Sequence, residues 1–139
     1  MTLFSTSYET IIYKSLRGET LLNILLAEDD RNFGLILKGE LEDERHHVDL
    51  VANGVEAVLN FLSNAYDFVL LDLRMPRLGG TDALRIIKNI NPQVPAIAFS
   101  GNAGSSEMEE TLQCGAIKCF SKPFSVAQLK EEIRIFFEN

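Results

Sequence analysis

From about Leu21 onward, apolar residues fall alternately into short continuous runs and into helical stripes. Asn23 to Ala27, apolar without a break from Ile24, is short enough for a strand buried on both faces of a parallel sheet. Phe33, Ile36, Leu37 and Leu41 then follow a helical stripe, Val48 to Val51 reads as a weaker strand, and Asn53-Gly54 is a turn signal. Val55, Val58, Leu59 and Leu62 recur at amphipathic-helix spacing. Phe68 to Leu71 is a third strand, and Leu84, Ile87 and Ile90, with Ile86 beside them, make a stripe closed by Pro92 and Pro95. Ala96 to Phe99 and Ile117 to Phe120 supply two more strands. Ser106 with Glu109 reads as a capping box for a helix containing Met108 and Leu112. Ser125 with Gln128 opens a last helix whose apolar positions are Leu129, Ile133, Phe136 and Phe137. Strict alternation of strand and helix predicts an α/β fold, a five-stranded parallel sheet doubly wound with helices on both faces.

The ends of these strands carry the chemistry. The first ends on Glu28-Asp29-Asp30 and the third on Asp72. Two carboxylates about 4 Å apart repel by roughly 4 kcal/mol at an effective dielectric near 20, so an acid pocket of this kind needs a cation or a proton. Hard oxygen ligands that cannot surround an ion suit Mg2+, which keeps waters and recruits phosphate oxygens. That points to phosphoryl chemistry. The fourth and fifth runs lead into Ser100 and Lys122. All of these residues therefore fall on the C-terminal edge of the sheet, where ligands bind in such folds. Asp30 reads instead as the cap of the helix that starts at Arg31, and His46-His47 as a solvated pair at a helix-to-strand connection.

Bulk properties narrow the class. With 139 residues, 46% hydrophobic and 24% charged, the chain fits one globular domain. A net charge of −7 disfavours direct contact with nucleic acid or an anionic membrane. Cys114 and Cys119 are too few for a disulfide framework, lack a His or third Cys at metal-ligand spacing, and read as small core residues of a reducing compartment. No apolar run approaches the roughly 18 residues of a membrane span, and the N-terminus lacks a basic head with a long apolar core. The expected location is cytoplasmic.

The motifs Ile24-Leu-Leu-Ala-Glu28-Asp29-Asp30, Tyr66-Asp-Phe-Val-Leu-Leu-Asp72-Leu-Arg-Met-Pro76, Gly79-Gly80, Phe99-Ser100-Gly101, Gly115-Ala116 and Ser121-Lys122-Pro123-Phe124 stand in order and at family spacing. In them the chain resembles the receiver domain of two-component response regulators, the chemotaxis-regulator-like family. The resemblance covers about Leu22 to Glu138. It implies a flavodoxin-like strand order of 2-1-3-4-5, with residues 1–21 as an extension and 22–139 as the receiver domain. It further implies that Asp72 is the phosphoacceptor. Mg2+ would be held by Asp29 directly, by Glu28 through water, by Asp72 and by the Arg74 main-chain carbonyl. Lys122 would pair with Asp72 and then with phosphate, and Ser100 would give its hydroxyl to the phosphoryl group. A cis peptide before Pro123 would turn the lysine inward.

One departure bears on signalling. Where the family carries an aromatic residue three positions before the lysine, this chain has Cys119, and Phe120 follows on the opposite face of the strand. The expectation is that the loop from Ser100 through Gly101 and Asn102 to Ser105, with its helix, moves without a rotating ring. Arg74 and Asn102 occupy the positions that tune phosphoform lifetime, and a long cation at Arg74 should hinder attacking water and prolong it.

Implied partners are a sensor histidine kinase or histidine phosphotransfer protein, a downstream target or separate output domain, and a second copy in a phosphorylation-dependent homodimer. No output domain follows the last helix, so the chain is expected to act alone on a partner or to be one piece of a longer protein. Two other functions compete: a pseudo-receiver scaffold, and a haloacid-dehalogenase-type phosphotransferase. The latter needs a second Asp two residues after the nucleophile, where Arg74 stands. Phe4, Tyr8, Ile11, Ile12 and Leu16, with Gly18 as a stop, lie near one helical face. They read as a tail, a docking helix or a linker remnant.

Overall fold

The computed structural model describes residues 21–101 and 104–138. The helical reading of residues 1–20 and the tuning position Asn102 lie outside them. Among these residues five strands, β1 (Asn23–Ala27), β2 (His47–Val51), β3 (Phe68–Asp72), β4 (Ala96–Ser100) and β5 (Lys118–Ser121), alternate with five helices. The helices are α1 (Arg31–Glu42), α2 (Gly54–Ser63), α3 (Gly80–Ile90), α4 (Ser105–Gln113) and α5 (Val126–Glu138). All strand pairs are parallel, in the order β2-β1-β3-β4-β5.

Every residue of β3 and β4 is buried, as expected of central strands with helices on both sides. Alternation along the strands divides the core in two. Leu25, Val69 and Leu71 face α2 and α3, while Ile24, Leu26, Leu70 and Phe99 face α1 and α5. No described helix is long and apolar enough to cross a membrane.

Capping explains most helix starts. Asp30 accepts a hydrogen bond from the Phe33 amide and Asn53 from the Glu56 amide, and the Ser125 hydroxyl accepts from the Gln128 amide at 3.2 Å. The capping box expected at Ser106 and Glu109 does not form: α4 starts two residues earlier, with Gly104 as its cap and no side-chain cap bond.

Two stripes are buried only in part. In α1, Leu37 and Leu41 are buried as expected and Phe33 packs against the core, but Ile36 is 63% exposed and Gly34 is buried in its place. Leu59 and Leu62 are 57% and 60% exposed, while α2 buries Gly54, Ala57 and Phe61. The cause is close approach. A methyl group at Gly54 would lie 2.1 Å from the Leu78 carbonyl oxygen, and one at Gly34 would lie 2.9 Å from a Leu50 methyl. In α3, Leu84 and Ile87 are buried as expected, whereas Ile86 and Ile90 are exposed.

Candidate functional site

Successive strand ends deliver the polar residues to one place. The Glu28 amide extends the ladder by bonding the Val51 carbonyl at 3.0 Å, which fixes Glu28 just beyond β1. Asp72 is the last residue of β3. A methyl group at Gly80 would lie 2.2 Å from the Asp72 carbonyl oxygen, so glycine lets α3 begin directly against this strand end. Glu28 is 1% exposed and Asp72 3%, whereas Asp29 faces solvent. Carboxylate oxygens of all three lie within 4.8 Å of one another.

Lys122 enters from the loop after β5, its amide donating to the Ser100 carbonyl at 2.8 Å. Its Nζ donates to Glu28 Oε1 at 2.5 Å and to Asp72 Oδ2 at 2.9 Å. The Arg74 amide donates to the other oxygen, Asp72 Oδ1, at 2.9 Å. The Lys122–Pro123 peptide is cis, as the resemblance implied. The Phe33 and Phe99 rings flank the ammonium, with centroids 4.6 and 5.4 Å away. Ser100, buried at the end of β4, completes the edge.

One ammonium facing three carboxylates leaves an anionic excess. Burial, and then the neighbouring Asp72 carboxyl, push Glu28 up to about 8. Burial acts to lower Lys122, but its bonds to Glu28 and Asp72 outweigh this and raise it. The donor set, all hard oxygen with one solvent-open side, fits a divalent cation. Mg2+–O bonds are about 2.0–2.1 Å, so oxygens within 4.8 Å need only a small movement or a bridging water to share one ion. An open groove of about 620 Å3, lined by Glu28, Asp29, Lys38, Asp49 and Asn60 among others, adjoins this acid cluster. A larger groove of about 750 Å3 runs between α1 and α5, lined by Glu40, Lys130 and Arg134, away from it.

Other expected residues fall as follows. Gly101 and Pro123 are exposed at the rim. Cys119 is half-buried, and burial, with the charge of Glu107 added, pushes its thiol up. Phe120 lies on the opposite core face, stacked on Phe124 with centroids 5.4 Å apart. His46 and His47 are not simply a solvated pair. His46 Nδ1 accepts from the Leu22 amide at 3.1 Å, and His47 pairs with Asp49 at 3.2 Å.

Sequence reasoning missed the contacts of α4. Arg74 Nη2 donates to Glu107 Oε2 at 2.7 Å, and the fully buried Thr111 hydroxyl bonds the Glu107 carbonyl at 2.8 Å and meets the Thr81 hydroxyl at 3.1 Å. The available signal is a threonine, Thr111, just after the Glu109–Glu110 pair of this helix.

A model of the response regulator receiver domain matches residues 24–134. The chain belongs to this receiver-domain family. It is 33% identical over 111 residues to the response regulator ArlR of Staphylococcus saprophyticus, covering 80% of this chain and 50% of that protein. To the sensor protein EvgS of Escherichia coli K12 it is 31% identical over 112 residues, 81% of this chain and 9% of EvgS. It therefore spans about half of one relative and a small part of the other. Among solved structures it resembles the receiver domain of the sensor histidine kinase PA1611 of Pseudomonas aeruginosa PAO1. There the TM-score is 0.77 at 32% identity, covering 86% of this chain and 99% of that one, with a magnesium ion coordinated in the active-site cleft of that structure. A CheY-like receiver domain from Methanospirillum hungatei JF-1 gives a TM-score of 0.82 at 25% identity, covering 85% and 94%.

Proposed function

We propose that Asp72 accepts a phosphoryl group from a phosphohistidine on a histidine kinase or histidine phosphotransfer protein, in a Mg2+-dependent reaction, and that the modified domain signals to a downstream protein. The observation that carries this reading is the buried Asp72 carboxylate held between the Arg74 amide and the Lys122 ammonium, beside Glu28 and Asp29.

These contacts leave Asp72 oriented as a nucleophile. One of its oxygens attacks phosphorus. An O–P bond forms as the P–N bond to the donor imidazole breaks, and the imidazole nitrogen keeps the bonding pair and takes up a proton. Lys122, a mobile point charge already at Asp72 Oδ2, follows the added oxygens. The Ser100 hydroxyl donates to one of them. A bound Mg2+, held by Asp29, Asp72, the Arg74 carbonyl and, through water, Glu28, would neutralise charge on the transferring group.

Incubation with Mg2+ and acetyl phosphate, read by intact mass, tests the proposal. The wild type should gain one phosphoryl group, and Asp72→Asn or omission of Mg2+ should abolish the gain. An unchanged wild-type mass would favour the pseudo-receiver scaffold instead.

A further inference from the structure

We propose that Glu107 acts as a positioning residue that holds the Arg74 guanidinium on α4 while Asp72 is unmodified, and that phosphorylation draws the guanidinium to Asp72 and so unfastens α4. This rests on Asp72 being the phosphoacceptor.

Arg74 is placed to serve both sites. Its amide is already bonded to Asp72 Oδ1, so its side chain starts beside the carboxylate, yet its guanidinium reaches out to Glu107 at 2.7 Å. Lys122 covers the opposite oxygen and is divided between Glu28 and Asp72. A phosphoryl group carries about −1.5 to −2 charge and three acceptor oxygens, more than the single charge of Glu107. Planar guanidinium recognises such oxygens in bidentate fashion. Arg74–Glu107 is a half-exposed pair, weak enough to be out-competed.

The cost of losing the pair falls on α4. Its one buried residue among those described is Thr111, whose hydroxyl bonds the carbonyl of Glu107 itself. Cys119 lies close enough to feel the Glu107 charge and brings no ring to this face of β5. A charged latch between the acceptor loop and α4 thus supplies a coupling that needs no aromatic side chain.

The test follows amide hydrogen exchange in α4 and the Arg74 side-chain Nε resonance, with intact mass in parallel. Glu107→Gln in the unmodified protein should speed α4 exchange about two- to fivefold, the scale of one half-exposed ion pair, and should still acquire phosphate from acetyl phosphate and Mg2+. In the wild type the same treatment should speed α4 exchange similarly and shift the Arg74 resonance. The double swap Arg74→Glu with Glu107→Arg should restore slow exchange before treatment and lose the response after it. An added phosphoryl mass with unmoved Arg74 resonance and α4 exchange would overturn the latch alone. Absence of that mass from the wild type would overturn the acceptor role and the latch together.

Discussion

Helices α3 and α4 are neighbours of similar length, yet they are attached by different physics. α3 seats Gly80, Ala83, Leu84 and Ile87 in the core shared with α2 and β3. α4 buries Thr111, and its links to neighbouring elements include Arg74–Glu107, Arg85–Glu110 and the Thr81–Thr111 hydroxyl contact. Full burial of a leucine side chain contributes about 1.5–3 kcal/mol, against a median of about 0–1 kcal/mol for an exposed ion pair. One helix is therefore a fixed reference beside the acid pocket. The other can shift against it at small cost, as elements with few buried apolar contacts do.

The strongest challenge to this contrast is to weaken the apolar helix. Leu84→Ala removes a fully buried side chain from the α3 core and should destabilise the domain by about 2–5 kcal/mol, seen as a lower urea midpoint. Truncating the exposed apolar residue of α4, Leu112→Ala, should cost under about 0.5 kcal/mol because that side chain faces solvent. Equal losses from the two would erase the distinction.

Charge in the acid pocket acts on the sheet beneath both helices, so it should affect them alike. The Glu28 carboxyl is raised from 4.5 to about 8 by burial and by Asp72. Between these values the folded state binds more protons than the unfolded chain. The stability that Glu28 contributes is thus fully present below about pH 4.5 and is lost as pH rises through 8. With metal chelated, the wild type should lose stability between pH 6 and pH 8, and Glu28→Gln should lose less over the same interval. Addition of Mg2+ should reverse the wild-type loss, increasingly so at higher pH. A wild type indifferent to pH in the absence of metal would mean that the pocket is not anionic in excess.

The acid cluster was legible in the sequence because a carboxylate ending a continuous apolar run must emerge at a strand end, and parallel strands bring all such ends to one edge. Asp30 was legible as a cap because its side chain needs only the amide three residues on. The facing of α1 and α2 was not. Both carry apolar residues on more than one side, and the inward side depends on the close approach of Gly34 to the Leu50 side chain and of Gly54 to the Leu78 backbone, both distant in sequence. Arg74 was recognised as a residue beside the pocket, but its partner Glu107 stands 33 residues away on a helix with a weak apolar stripe. Nothing local in the sequence encodes that pairing.

The finest probe of the contrast is ionic strength. The Debye length falls from about 10 Å at 0.1 M salt to about 3 Å at 1 M. Half-exposed pairs such as Arg85–Glu110 at 2.7 Å are weakened over that range, whereas apolar burial is not. Amide exchange in α4 should therefore quicken up to about threefold between low and high salt while exchange in α3 holds or slows. Glu110→Gln should reproduce part of the α4 effect at low salt and make the helix less responsive to further salt. If α3 and α4 respond to salt in parallel, their attachment is of one kind, and α4 has no special freedom to move.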